Sequence, residues 1–600
     1  MIRARHGGAV ALGAAALLAL GSATSAVAAV APPGSGSYEF PNNPEWDAVN
    51  RDIPSSMSAS NVPAANVPRP SGLPVIGTSD ATTTITGLTM KDQRTADNGN
   101  QFSLEPPDQG LCVGLSTKSG QSVLEAVNDV FRVHNLKTGT ASTATSLTKF
   151  FTGQSQIIRH PDGTATYGPF LSDPKCYVDP ASGRFYLSML EIDQDPSTGA
   201  FGPRTATYLA VSKSATPSAS PRDWYFYTID TTDDGTRDQS GVGIMPSKPA
   251  SNTLLPNNPG CPCLGDQPLI GADKYGFYIT TNEFSLNGPE FNGAQIYALD
   301  KAGLANGKFR MQAIHGSPIP LREGPAYSLQ PATSPTPADW STANGGTAYF
   351  LSALDFNATL DNRIAEWRLT NTSTLATRSP AVQLEEPEVI STQVYGQPPA
   401  VTQKSGPTPL ADSLKERENL LNSNDDRMNQ VVLQGGKLWG AVNTVVKTNT
   451  GPTTTGIAWF TVDTAAQTLD KALANQGYVA VTGQSVFFPS IAIGPKGKGV
   501  MTFSLSGPDY YPSSAYVRID SSGTTGSVRV MGGGVLPADG FTGYQAYGGN
   551  GVERWGDYSA AVPDYATGDV WVAAEDIPGT FGWNDGFLAN WGTTIAKVTP

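Results

Sequence analysis

Charge, histidine and cysteine are all scarce in this chain, and each scarcity excludes a class of function. Only 15% of the residues are charged, the balance is −13, and no Lys/Arg cluster interrupts the acidic bias. That argues against nucleic acid and anionic membrane as partners. Beyond His6, only His134, His160 and His315 are present, at unlike places in the pattern described below. A three-histidine metal centre is therefore not expected, and His160, in the loop RHPDG, is the one histidine kept as a candidate catalytic base. The nucleophile elbow G-x-S-x-G, the metalloprotease helix H-E-x-x-H, the phosphate loop G-x-x-x-x-G-K-[ST] and the dinucleotide fingerprint are all missing. Past the N-terminus, no run approaches the roughly 18 consecutive apolar residues of a membrane helix.

Four cysteines remain, Cys112, Cys176, Cys261 and Cys263. An even number in an exported chain predicts disulfides, and four allow three connectivities. Cys112 and Cys176 stand at similar depths of two consecutive repeats, where they would staple neighbouring strands. That pairing leaves Cys261-Pro262-Cys263 to a small ring. Buried free thiols are the competing reading for each.

The first residues combine Arg3 and Arg5, an apolar run from Ala9 to Leu20 and a small-residue zone from Ala26 to Ala31. That is the layout of a secretory signal, expected over residues 1–29, and it predicts a secreted, extracellular protein. Residues 30–81, rich in Pro, Ser, Ala and Asn, read as an extended leader. From residue 82 to 600 the texture changes to β-branched and aromatic runs broken by turns. Gly 64 and Pro 47 fit many short strands, not helical bundles.

Internal repetition decides the fold class. Residues 172–193 (SDPKCYVDPASGRFYLSMLEID), 265–285 (GDQPLIGADKYGFYITTNEFS) and 554–578 (RWGDYSAAVPDYATGDVWVAAEDIP) share one order. Each has an Asp, a short strand, a Gly-containing turn, an aromatic-rich strand and an acid. Weaker copies occupy 106–130, 344–356, 426–446 and 487–507. The expectation is all-β, a single β-propeller of seven blades, with six as the alternative. The last copy lacks a fourth strand, and Thr82–Leu88 would supply it, removing an exposed edge. Pro409–Leu421 reads as a helix with Leu410, Leu414 and Leu421 on one face.

In such a blade the residues before the first strand and after the second share one face. That gathers Asp108, Asp173, Asp266, Asn429 and Asp557 with Asp129, Glu191, Glu283, Asp355, Asn443 and Glu575 around one mouth of the channel. Crowded carboxylates supply an acid/base pair for glycan cleavage, or oxygen ligands for Ca²⁺, or simply caps for their own turns. Asp266 and Glu283 are the leading acid/base pair, with Asp557 and His160 as further catalytic candidates. Asp108, Asp173 and Asn429 join Arg427 and Arg554 as substrate-binding residues; the arginines would grip an anionic group. Trp555, Trp583 and Trp591 are the candidate stacking platform. Glu191, Asp193 and Asp195 form an oxygen-rich stretch that makes Ca²⁺ the one cofactor in view.

The phrases EPPDQG, LGDQPLIGADKYGFYITTNEF, DDRMNQVV and RWGDYSAAV resemble segments of secreted bacterial propeller proteins loosely grouped with the sialidase-like superfamily. The resemblance spans roughly residues 82–600 and implies the architecture alone. The S-x-D-x-G-x-T-W boxes of true sialidases are missing, and no arginine triad maps onto this chain. Three functions stay open: a glycosidase or polysaccharide lyase at the mouth, a non-catalytic module for glycan or protein, and a calcium-stiffened scaffold. The expected partner is an extracellular glycan or other polar polymer, and the expected state a monomer.

Overall fold

The computed structural model describes residues 66–71, 73–162, 164–233, 242–243, 262–286, 291–314, 320–321, 324–354, 360–448, 451–579 and 589–600. The signal and most of the leader, Cys261, Asp355, Trp583 and His315 lie outside them. The architecture is all-β and propeller-like. Its described strands form seven antiparallel meanders, here sheets 1 to 7. Their lead strands are Gly110–Val113, Phe170–Val178, Cys263–Ala272, Gln330–Thr333, Val431–Gln434, Ser485–Ile493 and Ala560–Pro563. In each sheet the lead strand pairs with the next strand along the chain, and that strand with a third. In sheet 7 the fourth strand comes from the other end of the chain: Thr83–Thr89 lies antiparallel to Gly592–Val598.

The strands are buried on both faces because the sheets stack on one another. Val570–Asp576, for example, is buried at every position. Separate apolar cores lie between consecutive sheets from 1 and 2 through 6 and 7. A further core joins sheets 7 and 1 through Leu111, Val123, Trp571 and Ile595. Each fully buried Val, Leu, Ile or Phe contributes about 1.5–3 kcal/mol. Neighbouring lead strands contact one another all along this series, including those of sheets 7 and 1. Glycine makes that approach possible: a Cβ on Gly271 would sit 2.5 Å from the Pro331 side chain.

The Cys112–Cys176 disulfide joins the lead strands of sheets 1 and 2. Cys263 is buried at the start of the sheet 3 lead strand. Two expectations need correction. The helix stops at Leu414, because Lys415 adopts a left-handed conformation, φ 61°; Leu420–Leu421 instead pairs parallel with Val552–Glu553. The leader does not stay apart from the body up to residue 81. Ile76–Thr78 adds a parallel strand to the edge of sheet 6, and Asp80 is held by Arg518 at 2.9 Å and by Tyr516. Among the described residues no helix is long and apolar enough to cross a membrane.

Candidate functional site

The site is built from the way each lead strand begins. Asp108 and Ser328 stand just before their lead strands and Asp173, Gln267 and Phe488 in the first half of theirs, all with φ between 44° and 58°. In sheets 2, 3 and 6 the pairing register slips at this point, so the strand bulges. A non-glycine residue in this region carries a backbone cost, and a recurring asparagine offsets it. Asn128 Oδ1 accepts the Asp173 N–H at 2.9 Å, Asn282 Oδ1 the Ser328 N–H at 2.8 Å, and Asn443 Oδ1 the Phe488 N–H at 2.7 Å. Each asparagine also donates Nδ2 to the entry loop of its own sheet: Asn128 to Asp108 Oδ2, Asn282 to Gln267, Asn443 to the Ser423 carbonyl. The polar residues at these strand ends are thus struts between neighbouring sheets.

Where sheets 7, 1 and 2 meet, the entries bring charged groups together. Asp108 is 1% exposed and both its oxygens accept, Oδ1 from the Asp557 N–H at 2.8 Å and Oδ2 from Asn128 at 2.8 Å. Burial pushes its carboxyl well up, and Asp557 and Asp173 push the same way. Arg554 holds Asp557 at 2.6 Å. Lys175, two residues past Asp173 in the sheet 2 lead strand, places its ammonium over the ring of Tyr558. Desolvation pulls the Lys175 amine down to about 7 against the opposing pull of Asp173, Asp108 and Asp557. Tyr558 is buried, and burial first, then the same aspartates, raises its phenol, keeping it protonated. Lys175, Tyr558 and Gln109 line a cavity of about 80 Å³ running between the lead strands, with Gln267, Arg427, Asn429 and Gln430 also on its wall. That volume holds roughly half a dozen waters, not a sugar ring.

The structure brings Asp108, Asp173, Asp557 and Arg554 together, and Asp266 acts electrostatically on the same Tyr558. It separates the Asp266/Glu283 pair. Asp266 is opposite Asn282 in the ladder and Glu283 is opposite Gly265, so their side chains leave opposite faces of sheet 3. Glu283 is 0% exposed and acts on Tyr297, in the core between sheets 2 and 3. Arg427 is no open clamp. It is 3% exposed, bonded through two nitrogens to Asp425 at 2.7 Å each and through Nη1 to Gln267 at 2.5 Å. Asn429 is on the cavity wall but mostly buried, its N–H bonded to the Ala441 carbonyl at 3.0 Å.

The aromatic platform is not on the surface. Trp555 and Trp591 are each 1% exposed, donating to Ser504 Oγ at 2.9 Å and to the Leu104 carbonyl at 3.0 Å. Stacking on a sugar needs an open ring face, which neither has. His160 sits exposed at the tip of the Ile157–Arg159/Ala165–Tyr167 hairpin, its Nε2 2.8 Å from Thr166 Oγ1. Its hydrogen bonds go to Thr164 and Thr166 of the same hairpin, not to Asp108, Asp557 or Lys175. The calcium stretch does not converge either. Asp195 folds back on Ser197 and Thr198 of its own turn, Asp193 pairs with Arg204 at 3.8 Å, and burial pushes Glu191 up to about 9. Among the described residues no three His, Cys, Asp or Glu side chains are placed to hold a metal ion.

Sequence reasoning passed over Lys175, Gln109 and Tyr558. A signal existed: Lys175 stands where the sheet 3 and sheet 6 copies have Leu269 and Ser490. A second feature was also missed. Glu105 and Glu553, 7% and 2% exposed, hydrogen-bond to each other beneath the loops of this face, packed against Gly540. Burial pushes Glu105 up to about 7 and Glu553 well up, the latter also because Glu105 is beside it.

No family model matches the chain, and no curated protein does. Among solved structures, a polysaccharide lyase aligns at 9% identity over 86% of this chain and 99% of its own, with a TM-score of 0.35. A Hadza microbial sialidase aligns at 10% identity over 81% and 74%, TM-score 0.33. The endo-arabinase of Bacteroides thetaiotaomicron VPI-5482 aligns at 11% over 71% and 93%, TM-score 0.26. Likeness at this level carries no argument about what this chain does.

Proposed function

We propose that the chain is an exported, monomeric seven-bladed β-propeller whose channel mouth binds an extracellular glycan and exchanges protons with it. The seven meanders, the core between sheets 7 and 1 and the N-terminal strand in sheet 7 support the architecture. The disulfide supports an oxidising compartment. One observation carries the catalytic reading: the Lys175 amine, drawn down to about 7 over the Tyr558 ring and facing three aspartates. A lysine poised near neutral pH takes up and returns a proton. The carboxylates suit hydrolysis less well. Both Asp108 oxygens are occupied, Asp557 is held by Arg554, and Glu283 is on the far face of its sheet. The small cavity favours a second reading, a module that binds without turnover.

The test is a panel of plant, algal and microbial polysaccharides with wild type and Lys175→Met. Turnover lost in the variant at an unchanged melting temperature supports catalysis. Binding without turnover in both proteins selects the module. No binding to any member refutes the glycan reading.

A further inference from the structure

Two residues that line the cavity each carry a polar group with no hydrogen-bond partner among the described residues. Gln109 and Tyr558 are 2% and 4% exposed, and the groups are the Gln109 Nε2 amide and the Tyr558 hydroxyl. Buried donors are nearly always matched, and each exception calls for an explanation such as a water, an ion or a catalytic role. Both line the same cavity as Lys175, and the Gln109 amide lies against Gly556, next to Asp557. Gln109 Nε2 is a donor only, a lysine ammonium is a donor only, and a raised phenol keeps its proton to donate. Two of the surrounding acids are already engaged, Asp108 through both oxygens and Asp557 through Arg554. What fits such a set is an acceptor with more than one oxygen. The cavity excludes a sugar ring but admits a group of three heavy atoms carried by a ring resting at the mouth.

We propose, building on the glycan reading above, that the mouth takes the carboxylate of a uronic acid residue, with Gln109 Nε2 and Tyr558 Oη donating to its oxygens. Gln109 is then the residue that sets substrate class. A carboxylate held this way acidifies the adjacent C–H, and the Lys175 amine takes that proton. The electron pair forms a carbon–carbon double bond, the C–O bond on the next carbon breaks, and the leaving oxygen takes the proton back from Lys175. Nothing is oxidised or reduced overall, and the chain ends in an unsaturated sugar.

The test uses the full chain in titration calorimetry with polygalacturonate, alginate and hyaluronate oligosaccharides, each beside its carboxyl-reduced form, and with a sulfated neutral glucan. At least one acidic oligosaccharide should bind roughly tenfold or more tightly than its reduced form, the size of a hydrogen bond to a charged group. Gln109→Leu should erase most of that difference, and products should gain near-ultraviolet absorbance. Where Gln109→Leu lowers the melting temperature, Tyr558→Phe, which removes one oxygen, replaces it. Equal binding of acidic and reduced forms, an unchanged preference in the variants, or tighter binding of the sulfated glucan overturns the carboxylate proposal and leaves the glycan reading standing. No binding of any oligosaccharide, acidic or neutral, ends both.

Discussion

Replacing Asn128 with alanine removes four hydrogen bonds beside Asp108 and Asp173: from the Asp173 N–H at 2.9 Å and Ser172 Oγ at 3.3 Å, to the Pro106 carbonyl at 2.7 Å and to Asp108 Oδ2 at 2.8 Å. The three neutral bonds are worth about 1 kcal/mol each and the bond to the carboxyl about 1.5–3 kcal/mol. Since Asn128 is 3% exposed, water does not replace them freely. The expected loss is roughly 4–6 kcal/mol, read as a shift of the urea unfolding midpoint at constant slope. Asn443→Ala is the matched control. It removes the same kind of strut between sheets 5 and 6, with bonds to the Phe488 N–H and to the Ser423 and Asp425 carbonyls. Both variants should lose stability, and Asn128→Ala alone should also lose glycan affinity, because it releases Asp173 and Asp108. An unchanged midpoint in Asn128→Ala refutes the strut. Equal functional loss in both variants refutes its link to the site.

Three further outcomes follow from the same geometry. The Cys112–Cys176 bridge closes a segment with a sequence separation of 64, so Cys112→Ser/Cys176→Ser should lose about 4 kcal/mol by the chain-entropy argument; reductant on the wild type should approach the same midpoint. Glu105 titrates near 7 in the folded chain and near 4.5 unfolded, so the pair's contribution is full below about pH 4.5 and is lost as pH rises toward 7. Glu553→Gln should flatten that slope in a series of melting curves, and an unaltered slope would show that the pair does not titrate there. Trp555→Phe should lower the melting temperature and leave glycan affinity untouched; weakened affinity at full stability would return the ring to the binding surface.

The acid–strand–turn–strand–acid pattern made the sheets legible, because two-sided burial keeps each strand apolar and leaves polar residues for its ends. Thr82–Leu88 read as a strand for the same reason, and Thr83–Thr89 pairs in sheet 7. The depths of Cys112 and Cys176 pointed to the disulfide. The pattern could not show which face of its sheet a side chain leaves. One residue of register separates Asn282, facing Asp266, from Glu283, facing the core. Nor does composition tell a buried tryptophan from an exposed one; Trp591 in a glycine-rich stretch read as surface and packs beneath the loops. Lys175 was hidden because the repeat is marked by the aspartate two residues before it, while the displaced lysine stands after the proline, where other copies carry Leu269 and Ser490.

A crystal structure of the full chain soaked with an acidic oligosaccharide tests the account most directly. The account predicts a sugar residue at the mouth of the channel, its carboxylate between Gln109 and Tyr558 and its ring within reach of Lys175. Sugar bound elsewhere on the molecule, with that mouth unchanged, would contradict it.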